Sequence, residues 1–133
     1  MQSMKQVEME VLIGMIDENN LNQMLYDVMT DAINIGIPID PTIEKKVYID
    51  HGTLGRAGFC NWCFSKYEIH ITDKLLRAKQ NYIKDVLAHE ILHTCFLAKN
   101  HYWPWNDYAK KMNQTYGYHI KEKYDGWKEL GVI

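Results

Sequence analysis

Three cysteines among 133 residues are too few, and odd in number, for the disulfide framework of a stapled secreted domain. Charge of one sign is missing as well. Lys and Arg number 15 against 17 Asp and Glu, a formal net charge of -2, without the basic excess of a dedicated nucleic-acid binder. No stretch approaches the roughly 20 apolar residues needed to cross a bilayer. Val7 to Ile16 is apolar, but Glu8 and Glu10 interrupt it, and neither a basic leader nor a small-residue cleavage site frames it. Linkers, repeats and low-complexity segments are also lacking. The expectation is one domain over residues 1–133, cytoplasmic, reduced and without membrane contact. Its 47% hydrophobic and 12% aromatic content is that of an ordinary globular protein.

Hydrophobic spacing divides the chain. Leu21, Met24, Leu25, Val28, Met29, Ala32 and Ile35 recur at helical spacing, with capping candidates in Asp17 to Asn20 and a stop at Gly36 and Pro38. Met4 to Ile16 reads as a shorter, weaker helix. Ile43 to Asp50 reads as a strand centred on Val47, Tyr48 and Ile49. Gly52 to Gly58 holds three glycines and makes a turn. Phe59 to Phe64 and Tyr67 to Thr72 form the arms of an antiparallel pair, Ile69 and Ile71 alternating with Glu68 and His70. Thr72 or Asp73 caps a short turn through Leu75 and Leu76.

From Asn81 to about Ala98 the pattern is helical and apolar on nearly every side, which marks a buried central helix. Pro104 opens a further helix that runs through Tyr108, Met112 and Tyr116 and stops at Gly117. Tyr118 to Ile133 has no clear period.

Inside the central helix stands His89-Glu90-Ile91-Leu92-His93. Residues four apart share a helix face, so both imidazoles can reach one ion while Glu90 points at its open side. Zinc held this way lowers the pKa of a bound water to about 7, and the carboxylate can take its proton. In a buried helix these polar groups are costly unless something satisfies them, and a shared ion does so.

A catalytic zinc needs a third protein ligand. A metzincin spacing requires Gly at 96 and His at 99, where Phe96 and Lys99 stand. A thermolysin-like layout draws on a later glutamate, for which Glu122 is the candidate. A third layout uses His101, eight residues beyond His93, with the chain folding back near Asn100.

His89-Glu90-x-x-His93, His101-x-x-x-Trp105 and Asn113-x-x-Tyr116-Gly117 together resemble the SprT-like metalloprotease domain, the family that includes Spartan. Leu54-Gly55-Arg56-Ala57 and Ile69-x-Ile71-Thr72-x-x-Leu75 are similar to the turn and strand preceding that family's active helix. The resemblance spans about Leu21 to Tyr118 and matches a minimal form without the cysteine-rich C-terminal zinc ribbon. It implies an α+β, zincin-like fold, a small antiparallel sheet packed against helices around the central helix. It implies one zinc ion held by His89, His93 and His101, with Glu90 as general base in hydrolysis of a protein or peptide substrate. Tyr67 to Thr72 would be the edge strand that takes the substrate by strand addition. DNA association is implied by the resemblance alone and finds no support in the net charge.

Other residues carry weaker signals. Cys60 and Cys63 form a C-x-x-C pair without a second pair, and His51 and His70 are its nearest candidate partners; strand residues without a metal or redox role are the simpler reading. His119, Tyr116, Tyr118 and Lys121 are rival donors for an oxyanion. Trp103, Trp105 and Trp127 read as core or rim aromatics. Two alternatives to a general protease follow. One is a zinc-stabilised module that binds a protein strand or nucleic acid without cutting. The other is a narrow-specificity regulatory peptidase.

Overall fold

The computed structural model describes residues 17–52 and 55–129, so the short helix expected over Met4 to Ile16 lies outside the described residues. Among them the architecture is α+β, with three α-helices and one three-stranded sheet. Helix α1 (Glu18–Asn34) begins where the Asp17 carboxylate accepts the Asn20 N–H at 2.8 Å. It buries Leu21, Met24, Leu25, Val28, Met29 and Ala32, the stripe that the spacing predicts.

Strands β1 (Ile43–Asp50), β2 (Gly58–Cys63) and β3 (Lys66–Thr72) lie in the order β1-β3-β2. The β2–β3 pair is antiparallel, joined through Phe64 and Ser65, both at positive φ. The β1–β3 pair is parallel, so the sheet is mixed and not antiparallel throughout. The hairpin docks through its second arm, which leaves β2 at the edge and β3 in the centre. Tyr67 to Thr72 therefore has both edges paired, and the edge strands are Ile43–Asp50 and Gly58–Cys63, the latter on the side of α2 that carries Glu90.

Helix α2 (Gln80–Leu92) is buried on nearly every side, yet it stops six residues before Ala98. Thr94 ends it, donating its hydroxyl to the Ile91 carbonyl at 2.6 Å and accepting the Asp40 N–H at 3.0 Å. Leu97 then takes a positive φ and turns the chain back. Phe96 and Leu97, expected on the buried helix, are instead 84% and 62% exposed. Helix α3 (Trp105–Tyr116) follows, with Pro104 at its cap and Gly117 closing it at φ 80°. Beyond it Ile120 and Trp127 return to the core, with a short 3-10 turn at Gly126–Glu129.

Strand β2 is pressed against α2. A Cβ on Gly58 would sit 2.6 Å from the His70 carbonyl oxygen and 3.5 Å from Cγ of Glu90. Only glycine permits that approach, and it sets the edge strand directly beside Glu90. No helix among the described residues is long and apolar enough to cross a membrane.

Candidate metal centre

His89 lies in the last turn of α2, His93 caps the helix, and His101 is in the following loop. Their Nε2 atoms converge. His89 Nε2 is 3.3 Å from that of His93 and 3.1 Å from that of His101. Nδ1 of His89 donates to the Lys121 carbonyl at 2.6 Å, and Nδ1 of His93 to the Ala98 carbonyl at 2.8 Å. These bonds fix the tautomer and turn each Nε2 lone pair toward the common point.

The His89 and His93 lone pairs face each other at 3.3 Å and repel unless a cation lies between them, whereas Nε2 of His101 can turn a hydrogen toward His89 at 3.1 Å. A proton is a poor solution here. Burial holds the His89 imidazole down to about 3 and lowers His93 as well. A metal ion fits the donor set better. Tetrahedral bonds of about 2.0–2.1 Å place neighbouring ligand nitrogens roughly 3.3 Å apart, close to the separations found. The group of His89, His93 and His101 can thus hold a metal ion. Trp105, 2% exposed, forms its floor, donating Nε1–H to the His89 carbonyl at 3.2 Å. Its ring centroid lies 4.8 Å from those of His89 and His101 and 5.5 Å from that of His93.

Glu90 is buried beside the imidazoles, with Oε2 3.9 Å from Nε2 of His89. Burial pushes its carboxyl up to about 8, with the Arg56 guanidinium pulling the other way. The folded chain thus keeps a proton that the unfolded chain releases near 4.5, and stability falls as pH rises through that window. The two buried histidines work the other way over part of this range, because burial lowers their proton affinity in the folded chain below the ordinary 6.5, and they offset some of the fall. Urea unfolding of the metal-free protein should therefore show roughly 1 kcal/mol less stability at pH 8 than at pH 6.5, the loss at Glu90 exceeding the smaller gain at the histidines. Glu90→Gln should abolish that fall, and an unchanged slope would contradict the burial of this carboxyl.

These groups open into a cleft of about 720 Å³. Gly58, Cys60 and Trp62 line one wall, and Glu122, Tyr124 and Trp127 the other. Glu122 reaches the cleft but does not join the converging donors. None of His119, Tyr116, Tyr118 and Lys121 lines it. His119 borders a separate cavity of about 260 Å³. Tyr116 and Tyr118 donate their hydroxyls to the Asp31 backbone carbonyl and carboxylate, and Lys121 contributes its backbone. Cys60 and Cys63 are three apart on one strand, so their side chains leave opposite faces. His51 pairs with Asp73, and His70 bridges Asp50 and Glu68. Trp103 is exposed, whereas Trp127 is buried.

The residues that sequence reasoning missed act through their backbone. Any residue can supply a carbonyl, so neither Ala98 nor Lys121 carries a signal of its role. Compared with protein-family models, curated proteins and solved structures, the chain matches none.

Proposed function

We propose that this chain is a SprT-like zinc endopeptidase with a zincin-like fold, in which His89, His93 and His101 hold the ion and Glu90 is the general base. One observation carries the reading: three imidazole nitrogens, two of them oriented by carbonyls, converge beside a buried carboxyl group in an open cleft. Three imidazole donors with one position left open suit zinc. Bound there, zinc supplies Lewis-acid polarisation of a carbonyl and makes a water acidic enough to ionise near neutral pH. Glu90 accepts a proton from the attacking water, whose oxygen bonds to the scissile carbonyl carbon. It delivers that proton to the amine as the C–N bond breaks. The free edge of β2, Gly58–Cys63, holds the substrate backbone by strand addition, in place of Tyr67 to Thr72. The substrate is a protein or peptide, and a net charge of -2 lends DNA no support as a partner.

The test uses the purified chain and unfolded casein. One zinc per chain is expected, with cleavage that stops under a strong chelator and returns with added zinc. Tight stoichiometric zinc without any peptide release would support the non-cutting binding module. Cleavage that persists after zinc removal would sink the mechanism.

A further inference from the structure

We infer that Asp85, Asn113 and Tyr124 are positioning residues of the metal centre, clamping the 119–121 segment so that the Lys121 carbonyl orients His89. The inference rests on the metal-site reading above. Residues 118–125 contain no helix or strand, so no regular ladder determines where that carbonyl lies. Three consecutive backbone N–H groups are instead caught by three side chains. His119 donates to Asp85 Oδ1 at 2.9 Å, Ile120 to Asn113 Oδ1 at 2.9 Å, and Lys121 to the Tyr124 hydroxyl at 2.9 Å.

The clamp is closed from both sides. Asn113 also donates Nδ2 to the Ile120 carbonyl at 3.2 Å, pairing with that residue as a neighbouring strand would. Tyr124 in turn donates its hydroxyl to the Asp85 backbone carbonyl at 3.2 Å. Asp85 thus holds the segment through its side chain and through Tyr124, and it lies one helical turn before His89. Asp85 is buried, and that burial raises its carboxyl pKa. An apolar residue would fill the position at lower cost if packing were its only task. His93 provides an internal control, because its acceptor Ala98 is held locally, by its N–H to the Cys95 carbonyl at 3.0 Å.

Outer-sphere partners of metal-ligating histidines typically change metal affinity by about 10- to 100-fold when removed. Zinc affinity of the full chain is measured by competition with a chromophoric chelator, and the Nδ1–H resonances of His89 and His93 by nitrogen-15 NMR. Asp85→Ala and Asn113→Ala should weaken zinc within that range. Tyr124→Phe, which keeps the ring and loses both hydroxyl bonds, should act in the same direction. The His89 resonance should move upfield while that of His93 stays in place, and Asp85→Asn, which keeps an oxygen acceptor, should restore both readouts. A merely structural role would lower thermal stability without separating the two histidines. Where Asp85→Ala fails to fold, Asn113→Ala and Tyr124→Phe decide. Folded variants with unchanged zinc affinity and an unmoved His89 resonance would overturn the clamp. A wild-type chain that takes up no zinc would overturn the metal reading, yet the resonances of the metal-free protein would still test the clamp.

Discussion

Glu90→Gln is expected to leave zinc bound and to lower kcat by about 10²- to 10⁴-fold, the usual contribution of a positioned general base. Glutamine preserves the volume, which matters because Gly58 already brings β2 against this side chain. It removes only the ability to accept a proton. The carboxylate is also a burden that packing alone does not justify, since burial raises its proton affinity to about 8. A buried acid beside converging imidazoles is the kind of group expected at a functional site. The variant should therefore be more stable than the parent at pH 8 when metal-free, yet inactive when loaded. Zinc content, unfolding at pH 8 and casein cleavage are measured on one preparation. Retained cleavage by the zinc-loaded variant would remove Glu90 from the mechanism.

What could be read from the sequence was what depends on local periodicity. The stripe from Leu21 to Ala32 marks α1, and the alternation about Ile69 and Ile71 marks β3, because each residue's burial follows from its own element's geometry. The apolar surroundings of His89 and Glu90 are legible for the same reason. Where long-range partners decide, the reading fails. Nothing near Leu92 forecasts that Thr94 will be engaged by Asp40, 54 residues earlier, so the helix end is placed too late. Periodicity likewise cannot tell a central strand from an edge strand, and the pairing of β3 with both β1 and β2 makes it central and leaves those two as the edges. The tail looks patternless because its order comes from side chains catching backbone groups, as at Asp85 and Asn113. Such contacts leave no period.

His101→Ala separates metal binding from folding more cleanly than any other change in this chain. His89 and His93 each donate Nδ1–H to a carbonyl, and replacing either removes a bond that ties two segments together. His101 is half-buried in a loop whose turn is fixed by others, with Asn100 Oδ1 accepting the Tyr102 N–H at 3.0 Å. Its ring rests on Trp105 and faces the other two imidazoles. Losing it should cost the metal-free protein about 1 kcal/mol or less. Zinc binding should suffer far more. If about 10–16 kcal/mol of binding is shared among four coordination positions, one ligand accounts for roughly 2.5–4 kcal/mol. Affinity should thus fall by roughly 10²- to 10³-fold. The thermal shift that zinc gives the parent should shrink accordingly, because that shift grows with the ratio of free zinc to Kd. Chelator competition and melting curves with and without zinc measure both quantities. Unchanged affinity would assign the third ligand elsewhere, with Glu122 on the cleft wall first in line. An equal loss of stability with and without zinc would mean that His101 serves the loop and not the ion.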